Sequence, residues 1–221
     1  MKANTDKAVI WDLDGVIVDT APFHFAAWRE VVESRGWNYT EEDFQESFGR
    51  RNDDILRSLF EDISPEEIES LSQRKEELFR SLVRNNVKPL PGVLELMERL
   101  WEEEFRVALA SSAPYENIDL MLSELGIKNR FHSIIGNDEV SRGKLDPEGF
   151  LLAAERVVVP ANRCIVIEDA PSGVAAAKAG DMKCIAVTKT HPRQALANAD
   201  LVMDNLKRVS GKDLYRLLAA Y

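Results

Sequence analysis

Two carboxylates stand at alternate positions directly after a short apolar segment near the start of the chain. The segment runs from Ala8 to Trp11, and Asp12 and Asp14 follow it, with Gly15 next. Because side chains alternate along a strand, the two acids point the same way at its carboxyl end. Two such acids repel each other unless a cation or a reaction uses them. Glycine lets the backbone turn sharply and approach a ligand closely, so this pattern is typical of an active site.

Two later apolar segments also end in polar residues. Ser111 and Ser112 follow one of them, and Glu168 and Asp169 follow the other. A lysine, Lys144, lies in a loop that comes after a further apolar segment. In open α/β sheets, ligands bind beyond the carboxyl ends of the strands. We therefore expect all these groups to converge in one crevice.

The chemistry that suits these groups is phosphoryl transfer. Four carboxylates make an oxygen-rich site of the kind that binds Mg²⁺, which offsets their repulsion and neutralises phosphate charge. A carboxylate can act as a covalent nucleophile and form an aspartyl phosphate. A serine hydroxyl and a lysine ammonium group can hold the other phosphate oxygens. Positioning and charge neutralisation are most of what such a transfer requires.

The elements that position these residues follow from the hydrophobic pattern. Continuous apolar runs indicate buried parallel strands, and helical stretches separate them, so we predict a doubly wound α/β sheet. Asp146 and Pro147 are expected to start one helix, and Gly126 and Gly180 to follow the ends of two others as C′ residues. The predicted strands are 8–11, 107–110, 133–135, 164–167, 184–187 and, at an edge, 201–203; the predicted helices are 91–103, 117–125, 147–157 and 171–179.

One long stretch breaks the alternation of strand and helix. Between Thr20 and Pro89 only helical patterns occur, including a capping box that begins at Ser64. We predict a helical cap domain over the site at 21–89, inserted into a core of 1–20 and 90–221. Lys75 could reach inward from its helix, although most helix lysines point to solvent. The apolar face of the helix after Ser64 is predicted to consist of Ile68, Leu71, Leu78, Leu82 and Val83.

Composition limits the class of protein and its partners. The 221 residues carry a net charge of −10 and no basic block, which argues against nucleic acid or an anionic membrane as the main partner. The sequence shows no signal peptide or membrane span, so a cytoplasmic protein is expected. Cys164 and Cys184 are expected to be buried free thiols, although a disulfide between them stays open. We expect a monomer, and the phosphoryl-transfer chemistry of the candidate site favours a small phosphorylated metabolite as its partner.

Four sequence features together resemble a known family. DLDGVIVDT, the ALASS strand, Lys144 and IEDAPSGVAAAKAG are similar in order and spacing to the motifs of the haloacid dehalogenase-like phosphotransferases. The helical insertion resembles the cap of the β-phosphoglucomutase and sugar-phosphatase branch. The resemblance implies a Rossmann-like core, with Asp12 as the nucleophile and Asp14 as the general acid and base. It also implies that Ser111 and Lys144 bind the transferring phosphate.

The same resemblance implies the cation site and the type of reaction. Mg²⁺ would bind to Asp12, to the backbone carbonyl of Asp14 and to Asp169, with Glu168 close by or ligating. The true dehalogenases of the superfamily do not have the second aspartate of the pair, so Asp14 argues against carbon–halogen chemistry.

Substrate-contacting residues are predicted in both parts of the chain. Gly15 and Ser112 belong to the core, whereas His24, Arg50 and Arg51 belong to the helical insertion. β-Phosphoglucomutases and some sugar phosphatases carry a histidine at the position of His24, and its alternative is a half-buried structural histidine. The two arginines follow a turn at 48–49 and could grip a second anion or a sugar. Alternatively, both are surface arginines with no role in binding.

Phosphatase and β-phosphoglucomutase both fit the motifs. A mutase must hold a bisphosphate, and the residues after the serine pair are Ala113, Pro114 and Tyr115, which supply no cation. Hydrolysis is therefore favoured, although Asn117 and the paired arginines could compensate. A receiver-like signalling domain is a remote alternative, because receivers are shorter and phosphorylate an aspartate on a middle strand. A catalytically silent binding protein is equally remote, since no catalytic group is missing.

Overall fold

The computed structural model describes residues 6–47 and 50–219. The described residues up to Asp19, together with those from Lys88 onwards, form one compact unit, and Thr20–Val87 form a second. The elements in the described residues are β1 (Ala8–Trp11), α1 (Ala21–Glu33), α2 (Glu41–Ser47), α3 (Asn52–Leu59), α4 (Pro65–Val83), α5 (Val93–Glu102), β2 (Arg106–Ala110), α6 (Tyr115–Glu124), β3 (Ser133–Ile135), α7 (Glu148–Arg156), β4 (Cys164–Glu168), α8 (Pro171–Ala179), β5 (Lys183–Val187), β6 (Leu201–Met203) and α9 (Gly211–Ala219).

The first unit is built on one sheet of six parallel strands in the order β3-β2-β1-β4-β5-β6. The chain winds outwards from β1 in one direction and then from β4 in the other. The strand order therefore reverses between β1 and β4, which is where doubly wound sheets bind their ligands. The predicted fold class is confirmed, and β6 is the edge strand as expected.

Both faces of the sheet are covered, which explains why the interiors of its strands are apolar. On one face, Ile10 and Val166 belong to a buried cluster with Phe150 of α7 and Val174 of α8. The other face packs against α5 and α9, which contact β2 and β4. Cys164 and Cys184 are buried in the core as free thiols, as predicted.

One predicted helix end is confirmed and two differ from the sequence predictions in detail. Gly126 follows α6 with a φ of +66°, as a C′ glycine should. Gly180, however, is the C-cap of α8 with a φ of −85°, and Asp181 takes the left-handed conformation instead. Helix α7 has Pro147 as its N-cap, and the carboxylate of Asp146 accepts a hydrogen bond from the backbone N–H of Glu148 at 3.0 Å. Helix α9 was not predicted.

The second unit contains α1 to α4 around an apolar cluster of its own. The capping box is present, with two reciprocal hydrogen bonds of 3.2 Å between Ser64 and Glu67 at the start of α4. The predicted apolar face of α4 is wrong at Leu82, which is 36% exposed. The buried face includes Phe79 and Lys75 instead, because the stripe follows the spacing 68, 75, 79 and 83. The cluster consists of Trp28, Val32, Tyr39, Phe44, Ile55, Leu56 and Ile68.

Candidate active site

Strand pairing brings the predicted acids to the same edge of the sheet. The backbone N–H of Asp12 donates to the carbonyl of Ile167 at 2.9 Å, so the pairing of β1 with β4 continues one residue past β1. This places Asp12 beside Glu168, the last residue of β4. On the other side, Ser111 follows β2, and its N–H donates to Ile135 of β3 at 3.1 Å. The three strand ends therefore carry their polar residues into one region.

A tight turn after β1 fixes the second aspartate. The N–H of Gly15 donates to the carbonyl of Val18 at 2.8 Å, and the N–H of Val18 donates back to Leu13 at 3.1 Å. Gly15 has a φ of +78°, a conformation that glycine adopts without strain. Asp14 is thereby held next to Ser111, whose hydroxyl lies 3.4 Å from Asp14 Oδ2.

Lys144 bridges the acids that follow β1 and end β4. Its Nζ lies 2.5 Å from Asp12 Oδ1 and 2.6 Å from Glu168 Oε1. The lysine side chain is 17% exposed, and the two carboxylates are almost fully buried. One ammonium group therefore contacts two buried carboxylates, and the lysine predicted from the sequence lies within hydrogen-bond distance of the predicted nucleophile.

Three buried carboxylates meet the requirements of a divalent cation site. Asp12, Glu168 and Asp169 each offer an oxygen, and these atoms all lie within 4.8 Å of one another. Oxygen ligands of this kind suit a hard cation such as Mg²⁺. One lysine leaves an excess of negative charge among the buried acids. The residues present thus fit a bound divalent cation in donor type, spacing and charge.

Glu168 is locked in place by its own backbone neighbours. Its Oε2 accepts hydrogen bonds from the N–H groups of Asp169 and Ala170, at 2.7 and 2.8 Å. Gly173, in the first turn of α8, makes room for the side chain. A Cβ on Gly173 would lie only 1.7 Å from Glu168 Oε1. The glutamate therefore depends on a glycine five residues further along the chain.

The pKa values of the buried acids reflect their excess of negative charge. Burial raises the pKa of Asp12, Lys144 lowers it, and Glu168 and Asp14 raise it; together they bring the pKa of Asp12 to about 7. Burial, Glu168 and Asp12 likewise raise the pKa of Asp169 well above its ordinary value. Burial alone would lower the pKa of Lys144, but its two carboxylate partners outweigh burial and raise it. A bound divalent cation would lower the pKa values of both aspartates, because it favours their ionised forms.

Of the residues predicted to contact substrate in the core, Gly15 is buried in the turn after β1, and Ser112 is exposed beside the buried Ser111. The other three lie in the helical unit. His24 is half-buried in α1, and its ring stacks on Phe79 with centroids 4.0 Å apart. The roles of Gly15, Ser112 and His24 in substrate binding stay predictions.

The two arginines lie at the start of α3. Arg50 donates to the carbonyl of Asp54 at 3.3 Å, and Arg51, 73% exposed, lies 3.6 Å from Asp53 Oδ1. The turn at 48–49 that was expected to aim them lies outside the described residues. Their grip on a second anion or a sugar stays a prediction.

Sequence analysis disfavoured the burial of Lys75 and did not identify the contact that Thr190 makes. Lys75 is buried rather than solvent-facing, because its ammonium lies 2.8 Å from Glu76 Oε1 and 5.4 Å from the ring centroids of Trp28 and Phe79. Thr190, in the loop after β5, donates a hydrogen bond to Asp169. The available signal for Thr190 was its place just beyond the carboxyl end of a predicted strand.

A doubly wound parallel sheet with paired acids at the carboxyl ends of β1 and β4 defines a class of α/β enzyme. The family model described as haloacid dehalogenase-like hydrolase matches residues 9–187. The chain therefore belongs to the haloacid dehalogenase-like hydrolases. Among the described residues, none of the helices is both long enough and apolar enough to cross a membrane.

The proteins similar to this chain include both phosphatases and beta-phosphoglucomutases. The chain is 35% identical over 180 residues to a phosphorylated carbohydrates phosphatase of Thermotoga maritima, covering 81% of this chain and 83% of that one. It is 33% identical over 206 residues to a beta-phosphoglucomutase of Bacillus subtilis, covering 89% and 88%. A solved beta-phosphoglucomutase from Clostridium difficile superposes with a TM-score of 0.87 at 27% identity, covering 97% and 98%.

Proposed function

We propose that this chain is a Mg²⁺-dependent phosphatase of phosphorylated sugars that works through an aspartyl phosphate. The observation that carries the proposal is the buried cluster in which Lys144 contacts both Asp12 and Glu168, next to Asp169. The T. maritima relative, named as a phosphatase of phosphorylated carbohydrates, supports the substrate class.

The first half of the reaction transfers the phosphoryl group to the enzyme. A carboxylate oxygen of Asp12 attacks phosphorus, and the bond between phosphorus and the sugar oxygen breaks. Asp14 gives a proton to the departing sugar oxygen, which leaves as a neutral hydroxyl. Ser111 and Lys144 bind the phosphoryl oxygens, and Lys144 is already placed beside the attacking group at 2.5 Å.

The second half returns the enzyme to its starting state. Asp14, now ionised, takes a proton from a water molecule that attacks phosphorus. The bond between phosphorus and the Asp12 oxygen breaks, which releases inorganic phosphate and the free carboxylate. Asp14 regains the proton that it gave to the sugar, so the protons balance over the cycle.

Mg²⁺ would be held by Asp12, Glu168 and Asp169, together with the backbone carbonyl of Asp14. When bound, it neutralises charge on the transferring phosphoryl group. Side chains of this protein supply the remaining contacts with the phosphoryl group. Lys144 supplies the second positive charge, and Ser111 supplies a hydroxyl donor beside Asp14.

A beta-phosphoglucomutase is the second candidate, because the B. subtilis relative carries that name. A mutase needs a second phosphate site, and the start of a helix is a natural place for one. In this chain, the N–H of Tyr115 at the start of α6 donates to the carboxylate of Asp138 at 2.8 Å. An acid thus occupies the donor that a second phosphate would use, which favours hydrolysis.

We further propose that the helical unit selects the leaving group. His24, Arg50 and Arg51 are its candidate contacts with the sugar. A monomeric cytoplasmic enzyme, with no nucleic-acid or membrane partner, completes the proposal.

Phosphorus NMR tests the function directly. The protein is incubated with Mg²⁺ and β-glucose 1-phosphate, with a trace of the bisphosphate, and then with a panel of other sugar phosphates. Inorganic phosphate is the expected product, and Asp12→Asn should release none. Glucose 6-phosphate as the main product would instead identify a mutase. Intact substrate across the whole panel would contradict the proposed substrate class.

A further inference from the structure

The loop after β5 places a threonine directly against the acid cluster. Thr190 lies three residues beyond the end of β5, and its Oγ1 donates a hydrogen bond to Oδ2 of Asp169. Asp169 is 4% exposed and is one of the three acids of the candidate cation site. A hydrogen bond from a neighbouring group fixes the direction in which a ligating carboxylate points.

The methyl group of Thr190 and the backbone of Gly15 pack around the same carboxylate. The Cβ position on Gly15 lies 1.9 Å from Asp169 Oδ2 and 3.1 Å from Thr190 Cγ2. Gly15 and Thr190 therefore both lie close to the carboxylate of Asp169, which has little room to turn.

Thr190 is in turn held by the next residue. His191 Nδ1 lies 3.0 Å from Thr190 Oγ1 and 3.2 Å from the carbonyl oxygen of Asp169. A carbonyl oxygen only accepts hydrogen bonds, so Nδ1 carries the hydrogen in this arrangement. The hydroxyl of Thr190 also lies 3.3 Å from the carbonyl oxygen of Asp169, so both the backbone and the carboxylate of Asp169 are within its reach.

The rest of the loop is anchored on both sides of the core. The N–H of Thr188 donates to the carbonyl of Met203 at 2.9 Å, which extends the pairing of β5 with β6. Lys189 Nζ lies 2.6 Å from the carboxylate of Asp19. These contacts set the position of Thr190 independently of its bond to Asp169.

We propose that Thr190 is a positioning residue that orients Asp169 for binding of the divalent cation. The inference rests on the proposed function, because that function requires Mg²⁺ at this site. Accepting the hydroxyl through Oδ2 does not prevent Asp169 from ligating through Oδ1. Thr190 itself does not need to touch the cation, the substrate or the reacting atoms.

Three variants separate the hydroxyl from the shape of the side chain. Thr190→Val keeps the shape and removes the donor, whereas Thr190→Ser keeps the donor. Thr188→Val is the matched control, because Thr188 lies in the same loop but its hydroxyl contacts Asp204 at 3.4 Å. Thermal unfolding at increasing MgCl₂ concentration, without substrate, gives the Mg²⁺ dissociation constant of each protein. Unfolding in EDTA reports any loss of the fold itself.

Thr190→Val should raise the Mg²⁺ dissociation constant by about 10-fold to 100-fold, the usual effect of losing a partner of a metal ligand. Thr190→Ser and Thr188→Val should keep the wild-type constant, and all four proteins should unfold alike in EDTA. Equal Mg²⁺ affinity of Thr190→Val and wild type would overturn the inference, and so would an equal loss in Thr190→Ser. If the wild type hydrolyses sugar phosphates while either of these results is found, only the positioning role fails. A wild type that neither binds Mg²⁺ nor releases phosphate would overturn the proposed function and this inference together.

Discussion

Gly15 leaves open the space that the carboxylate of Asp169 occupies. A Cβ on Gly15 would lie 1.9 Å from Asp169 Oδ2 and 2.6 Å from its Cγ. Gly15 belongs to the turn after β1, and Asp169 follows β4, so two distant parts of the sequence meet without a side chain between them. The φ of Gly15 is +78°, which a residue with a Cβ adopts only at a cost.

Gly15→Ala should therefore lower both stability and Mg²⁺ affinity. The left-handed backbone alone costs roughly 1–2 kcal/mol for an L-residue, and the clash with Asp169 adds to it. Gly36→Ala is the matched control, because Gly36 has a φ of +80° and no atom lies near its Cβ position. Urea unfolding and Mg²⁺ titration are compared for the two variants. Equal losses of stability, with unchanged Mg²⁺ affinity in Gly15→Ala, would contradict the importance of the close contact.

The stability of the metal-free protein should fall as pH rises from about 4 to about 7. The pKa of Asp12 is about 7 in the folded chain against 3.8 in its ordinary state, so within this range the folded state binds more protons than the unfolded one. One such group changes the free energy of unfolding by at most about 1.4 kcal/mol per pH unit. The measurement is urea unfolding in EDTA across this range. Asp12→Asn should show a shallower slope, and identical slopes would show that Asp12 does not titrate there.

Asp14→Asn should slow the first chemical step most for poor leaving groups. A sugar alkoxide needs a proton as it departs, whereas a nitrophenolate does not, and losing a general acid costs about 10²-fold to 10⁴-fold. The rate of the first turnover is measured by rapid quench with a sugar phosphate and with an aryl phosphate. Asp12→Asn is the control, since loss of the nucleophile should stop both. Equal slowing of the two substrates by Asp14→Asn would remove Asp14 as the general acid.

Val158→Gly should stabilise the protein. Val158 follows the C-cap of α7 with a φ of 59° and is 80% exposed, a position that favours glycine. Relief of the left-handed strain should gain about 1 kcal/mol in urea unfolding. Asp181→Gly, at the equivalent position after α8 with a φ of 56°, should gain less, because aspartate tolerates this conformation better than valine. A loss of stability in Val158→Gly would contradict the strain.

The parallel sheet was predictable because its central strands are buried on both faces. Continuous apolar runs such as that from Ala8 to Trp11 are typical of strands buried between two layers of helices. Helix ends were harder to place, because Asp181 takes the left-handed position that Gly180 was expected to take. Leu82 was assigned to a buried face because an apolar residue at that spacing fits the pattern, but Lys75 and Phe79 turn the buried stripe of α4 away from it.

The acids of the candidate site were accessible to sequence analysis because each directly follows or ends an apolar strand. Asp12 and Asp169 are examples, and local pattern alone identifies both. Thr190 was not identifiable from the sequence, because its contact with Asp169 depends on how the loop after β5 folds back over the sheet edge. Gly173 escaped for a similar reason, since its lack of a side chain matters only once Glu168 is in place.

Chemical trapping of the phosphoryl enzyme tests the central claim most directly. The protein is mixed with Mg²⁺ and a sugar phosphate that it hydrolyses, quenched with acid and reduced with borohydride, which converts an aspartyl phosphate to homoserine. Peptide mass spectrometry then locates the modified residue. We predict homoserine at position 12 in the wild type only when substrate is present, and none in Asp12→Asn. Release of inorganic phosphate with no modification at position 12, or with modification of another residue, would contradict the proposed mechanism.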